Sequence, residues 1–119
     1  MPRSSQLDIW QRSHRLALSV YRHSKAFPAD EQSGITAQLR HAAMSVPLNI
    51  AEGSKKRSNL EYAKCLNIAE SSLAQLEYLL VLSRDLGYLP EEASGPLFSE
   101  ISNVSTMLTT LRQKVGGPA

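Results

Sequence analysis

Apolar residues recur along most of this chain at alternating steps of four and three, the period of a helix seam packed against other helices. The clearest run is Leu97, Ile101, Val104, Leu108, Leu111 and Val115, spaced 4, 3, 4, 3, 4. Pro96 suits a first helical turn, and Gly116-Gly117-Pro118 ends the segment. Tyr62, Leu66, Ala69, Leu73, Leu76 and Leu80 repeat the same spacing. That run opens on Ser58-Asn59-Leu60-Glu61, a capping box in which two orphan donors are satisfied reciprocally, and Gly87 is a left-handed stop for it. Ile35, Leu39, Ala42, Val46 and Ile50 form another seam, closed by Gly53. The first segment is less regular: Ile9, Leu16, Val20 and Phe27 make one stripe, Trp10, His14, Ala17 and Tyr21 its neighbour. Pro28 breaks it, because the residue before a proline avoids helical geometry.

Strict period-two alternation is absent, and short polar connections separate the four segments. These features predict a single all-α domain over 1–119, an antiparallel up-down-up-down four-helix bundle with helices at about 7–27, 35–53, 58–86 and 91–115. The second helix carries a proline in its interior. Pro47 removes a backbone donor and clashes with the carbonyl of Ala43, a cost of roughly 3 kcal/mol. A bend at Pro47 is expected, held by packing that seats Asn49 and Gly53 against a neighbouring helix.

Tyr78-Leu79-Leu80-Val81-Leu82 are five successive apolar residues. Successive helical positions are about 100° apart, so they surround the helix, whereas a bundle core needs one face of it. Tyr78, Leu79, Val81 and Leu82 are therefore candidate oligomer contacts, most simply with another copy of the chain.

Composition adds little to the fold and more to the chemistry. The 119 residues are 42% hydrophobic, 20% charged and only 6% aromatic, which suits a soluble domain with an aliphatic core. No apolar run approaches the length of a membrane span. Met1-Pro2-Arg3-Ser4-Ser5 leads into a polar helix pattern unlike a signal peptide, and Cys65 is alone, so a cytoplasmic location is expected. The net charge of +2 is small but unevenly placed. Arg40, Lys55, Lys56, Arg57 and Lys64 face only Glu52 and Glu61 over their stretch, while Glu91, Glu92 and Glu100 occupy a stretch without cations. This predicts a basic end and an acidic end.

Catalytic and cofactor chemistry is not signalled. No Glu has a His three residues on, as a di-metal bundle requires. His14, His23 and His41 lie singly, and His14 at a seam position reads as a packed core residue. Cys65 can build neither a zinc site nor a visible nucleophile pair. Glu52 beside Asn49 reads as structural: Glu52 paired with Lys55 or Lys56, Asn49 satisfying carbonyls that Pro47 frees. No metal, cofactor or enzyme activity is expected.

The order Phe27-Pro28, Glu31, Gly34-Ile35-Thr36, Gln38-Leu39-Arg40, Ala42-Ala43, Ser45-Val46-Pro47, Asn49-Ile50-Ala51-Glu52-Gly53 resembles the 23S rRNA-intervening-sequence family, four-helix-bundle proteins encoded within large-subunit ribosomal RNA genes. Arg57-Ser58, Glu61-Tyr62, Leu66, Ile68-Ala69, Ser72-Leu73, Leu76-Glu77 and Leu86-Gly87-Tyr88-Leu89 continue the pattern. The chain departs from it at Ser33, His41 and Gln75, where an aromatic residue, an arginine and a glutamate are usual. The resemblance implies a cytosolic bundle. It further implies likeness to the accessory variability proteins of diversity-generating retroelements, ring-shaped homopentamers that contact a reverse transcriptase and nucleic acid through basic surfaces. Two functions are thus expected in competition. One is a non-catalytic homo-oligomer binding RNA or DNA phosphates through Arg40, Lys55, Lys56, Arg57 and Lys64, with Pro47, Asn49, Glu52 and Gly53 as structural motif. The other is an oligomeric adaptor that docks a protein and has no nucleic-acid affinity.

Overall fold

The computed structural model describes residues 4–116, which form helices and the short connections between them. Helix α1 spans Ser4–Ser24, α2 Ile35–Gly53, α3 Asn59–Asp85 and α4 Glu91–Gly116, with a short 3-10 turn at Ala29–Glu31. Gly117 and Pro118, expected to close α4, lie outside the described residues. The bundle measures 43 × 25 × 24 Å.

The antiparallel order follows from contacts that link distant residues. Ser45 meets Ser72 and Gly53 lies against Cys65, so α2 and α3 run in opposite directions. Glu70 accepts from Arg112, and Arg84 lies over the Phe98 ring, which does the same for α3 and α4. Arg12 reaches both Met107 and Glu100, and Arg40 reaches Tyr21, setting α1 against α4 and α2. The α2–α3 interface is the broadest and α1–α4 the leanest.

The seams become the core. Every seam residue of α2 and α3 is buried, and in α4 only Val115 is left half-buried. Leu39, Leu66, Leu73, Leu76, Leu80 and Leu108 are each at most 2% exposed, and each contributes about 1.5–3 kcal/mol by leaving water. On α1, Ile9, Leu16, Val20 and Phe27 are buried as the pattern requires. His14 corrects the expectation: it is exposed, stacked on Trp10 at 5.1 Å between ring centroids. The second stripe of α1 is split: Ala17 is in the core and Trp10 packs against it, while His14 and Tyr21 are exposed.

Helix ends also differ from the pattern. α1 stops at Ser24 rather than Phe27. Pro28 excludes Phe27 from helical geometry, so the chain leaves through tight turns that drop Phe27 into the core. α4 starts at Glu91, which places Pro96 in its second turn rather than its first. Glu91 and Glu92 sit where the helix dipole favours acids, and the Pro90 carbonyl accepts from Ala93 and Ser94 N–H. α2 remains helical on both sides of Pro47.

α3 ends in a Schellman motif. Gly87, at φ 81°, donates its N–H to Arg84 O at 3.0 Å, and Tyr88 N–H reaches Ser83 O at 2.9 Å. This turn aims Tyr88 across the bundle end, where its hydroxyl donates to Glu31 Oε2 at 2.9 Å and its ring meets Phe27. The bond to Glu31 holds the Tyr88 phenol above its ordinary value of 10.0, with partial burial and the charges of Glu31 and Asp30 adding to it. A raised acid is protonated longer in the folded state, so this latch contributes fully below the unfolded value and is lost as pH rises through the folded one. The difference in urea midpoint between the native chain and Tyr88→Phe is expected to stay constant to about pH 10 and shrink above it. A difference that persists unchanged at higher pH would mean that the hydrogen bond contributes nothing.

Candidate nucleic-acid interface

The corner between α2 and α3 is built on a seam of small residues. Ser45, Asn49 and Gly53 recur every four residues and face α3. Ser45 Oγ bonds Ser72 Oγ at 2.7 Å, and Asn49 Nδ2 donates to Ser45 O at 2.8 Å and to Ser45 Oγ at 3.0 Å. Asn49 therefore serves Ser45 and not the Ala43 carbonyl that Pro47 leaves open, which corrects the sequence expectation. Asn49 lies two residues beyond Pro47, and its side chain reaches back four residues, to Ser45, and not the six to Ala43.

Gly53 closes the seam. A Cβ there would stand 2.8 Å from Cys65 Cβ and 2.8 Å from Tyr62 Cδ1, so only glycine lets α2 end this close to α3. Cys65 is 5% exposed and its Sγ lies 3.9 Å from Glu52 Oε2. Burial first, then the Glu52 carboxylate, push its thiol above the ordinary range, which suits an inert packed residue. Glu52 thus turns toward Cys65, and among the described residues it pairs with neither Lys55 nor Lys56.

Just past Gly53 the backbone turns, with Lys55 N–H on Glu52 O at 3.1 Å and Lys56 N–H on Gly53 O at 3.0 Å. Ser58 Oγ accepts from Glu61 N–H at 3.1 Å, the forward half of the capping box. The turn is therefore tied at both ends, and Lys55, Lys56 and Arg57 stand exposed on it. Lys64 is exposed on the second turn of α3 at the same end. No ion pair engages any of the four among the described residues.

Arg40 does not join them. It lies thirteen residues before Gly53 on α2, about 20 Å along the axis. Its Nε donates to Ser24 Oγ at 2.8 Å and its Nη2 to Tyr21 O at 3.3 Å, with the guanidinium over the Tyr21 ring. Those donors tie the last turn of α1 to α2, one at the Tyr21 carbonyl and one at the Ser24 hydroxyl. In its place the structure brings Lys114, exposed in the last turn of α4, whose end abuts Ala63. Antiparallel order alone would have located it: the last turn of α4 must sit beside the α2–α3 corner.

The acidic stretch is not an acidic end. Glu100 pairs with Arg12 at 3.7 Å, and Glu92 shares a groove with Arg15 and His23 of α1. Periodicity placed these acids on α4 but could not say that α1 would lay its cations beside them. Among the described residues, no three acids, histidines or cysteines gather as a metal site requires, and no helix is long and apolar enough to cross a membrane. On the candidate oligomer face, Leu80 is in the core while Leu79 and Leu82 pack partly against it. Val81 is half-buried and Tyr78 is 63% exposed, so Tyr78 and Val81 form its outer part.

The sequence profile of the 23S rRNA-intervening sequence protein family matches residues 5–110. The chain belongs to that family. A crystal structure of a protein with unknown function from the S23 ribosomal protein family of Bacteroides thetaiotaomicron superposes with a TM-score of 0.80. It is 19% identical, and the alignment covers 92% of this chain and 98% of that one, which bears on the fold alone. No curated protein matches. Some of the residues on which the sequence resemblance rests lie at the two ends of the bundle. Phe27, Glu31, Tyr88 and Leu89 lock the loops at one end; Ser45, Asn49, Gly53 and Tyr62 set the corner at the other.

Proposed function

We propose that this chain is a non-catalytic homo-oligomeric bundle that binds RNA or DNA phosphates through the end carrying Lys55, Lys56, Arg57 and Lys64. The observation that carries the reading is that these four cations are exposed on one end and none is in an ion pair among the described residues. Lys114 adds a fifth charge there. Such a surface contacts the backbone without reading sequence, since phosphate contacts position a protein and base contacts specify. Arg40 is omitted from the set because its donors serve α1.

Self-association through Tyr78 and Val81 would repeat the basic end around an assembly and multiply weak contacts by effective concentration. A pentameric ring and a reverse-transcriptase partner are what the retroelement likeness suggests. The test is binding of a structured RNA and a duplex DNA by fluorescence anisotropy across a salt series. A steep fall of affinity with salt is expected. Flat curves at low salt would overturn the reading.

One observation favours a protein-docking adaptor instead. Leu48, Leu60 and Ile68 are 58%, 66% and 50% exposed near the same corner. An adaptor would show salt-insensitive capture of a protein partner, with Leu60→Ser and Ile68→Ser abolishing it and the cations dispensable.

A further inference from the structure

The α1–α4 seam, the leanest in the bundle, holds a groove of about 380 Å³ that is distinct from the basic end. Its floor is apolar, formed by Leu16, Ala93 and Leu97. Its α1 wall carries Arg12, Arg15 and His23, and its α4 wall carries Glu92 and Glu100. That size, with an apolar floor between charged walls, suits a small polar ligand.

Acceptors stand along it. Glu100 Oε1 is buried without a hydrogen-bond partner; Arg12 Nη1 lies 3.7 Å away, too far to donate. Pro96, on the groove wall, has no N–H for the Glu92 carbonyl, which an ordinary helix residue there would fill. His23 Nδ1 lies 2.8 Å from Ser19 O, and a carbonyl only accepts, so Nδ1 carries the proton. Nε2, the acceptor of that tautomer, lies at the same end as Glu92. Acceptors thus stand at both ends of the groove, eight residues or about 12 Å apart along α4, shortened because helical side chains lean toward the amino terminus. Arg15, exposed on the rim between them, is the one cation of this wall with neither an ion pair nor a hydrogen bond among the described residues.

The geometry points to a binding site for a free amino acid with a cationic side chain, of the lysine or arginine kind. Its two cationic ends meet the acceptors at Glu100 and at Glu92 with His23. Its methylenes lie on Leu16 and Leu97, and its carboxylate meets Arg15. An acid without an amine leaves the acceptors unfilled, and an amine without an acid leaves Arg15 idle.

The test is a ¹H–¹⁵N NMR titration of the whole chain with L-arginine, L-lysine, agmatine (arginine without its carboxylate) and L-norleucine (lysine without its side-chain amine). Saturable shifts at Ser19, Ala93 and Leu97 are expected for arginine or lysine, with agmatine and norleucine each about tenfold weaker. Arg15→Ala is expected to weaken arginine about tenfold and leave agmatine unchanged. Glu100→Gln is expected to weaken both, and because it also breaks the pair to Arg12, the exposed Arg15→Ala carries the decision should Glu100→Gln unfold. The inference is overturned if millimolar arginine and lysine move none of these resonances, or if Arg15→Ala leaves arginine and agmatine equally bound.

Discussion

Replacing Lys55, Lys56 and Arg57 together by alanine is expected to lower affinity for duplex DNA on the order of 100-fold at low salt. Each phosphate contact contributes about 0.9 to the slope of log affinity against log salt, so three lost contacts should flatten that slope by about 3 per subunit engaged. The fold should be indifferent. The three side chains are exposed, while the turn is held by backbone bonds from Lys55 and Lys56 N–H, which alanine retains. Exposed substitutions of this kind shift stability by about 0.5 kcal/mol or less. Arg40→Ala supplies the contrast: it should weaken stability, by removing donors from Ser24 and Tyr21, and leave the salt slope unchanged. An unaltered slope in the triple variant would transfer the role of this corner to protein docking.

The same substitution at two helical glycines is expected to act with opposite sign. At Gly95 a Cβ meets nothing within 4 Å, so Gly95→Ala should stabilise by about 1 kcal/mol through helix propensity. At Gly53 the new methyl meets Cys65 Cβ and Tyr62 Cδ1 at 2.8 Å, and neither is the free end of a flexible side chain. Overpacking of this kind costs about 1–3 kcal/mol, and the propensity gain offsets part of it. Urea denaturation should therefore separate the two variants by about 1–3 kcal/mol. Gly53→Val, which adds two further methyls to the contact, should fall lower still. If Cys65→Gly, which removes the Cβ that the new methyl meets, costs less stability beside Gly53→Ala than in the native chain, the contact is the cause; equal stability of Gly53→Ala and Gly95→Ala would show that α2 and α3 part without strain.

Seams were legible because burial on one face of a helix imposes the 4-3 spacing directly on the sequence, and the α2, α3 and α4 runs are buried almost residue for residue. The caps at Ser58 and Gly87 were legible for a similar reason, since each satisfies its own turn. What reaches between helices was not. Nothing in the neighbours of Arg40 says that its donors end on Tyr21 and Ser24, and counting charges along the chain grouped it with a triplet that lies at the other end of α2. Glu100 looked like part of an acidic patch until α1 supplied Arg12. Lys114 escaped because it is fifty residues from Lys64 in sequence. Gly53 was visible as a helix stop, yet its closeness to Tyr62 and Cys65 is a property of two helices at once.

The borrowed end of α1 has a consequence for how this bundle comes apart. Its last turn is tied to α2 by Arg40, through Tyr21 O and Ser24 Oγ, and its other neighbour, α4, touches it along the leanest seam. α1 therefore detaches by giving up its seam on α2, the Arg40 bonds and the thin interface with α4, less contact than either α2 or α3 would lose. The α2–α3 pair, with the broadest interface and a glycine-tight corner, has to break last. Amide protons of α1 should exchange through a partial opening well below the global unfolding free energy, while those of Leu66, Leu73 and Leu76 wait for complete unfolding. The molecule is in this sense a stable hairpin wearing a removable helix, and a protease that samples the open form should release α1 first.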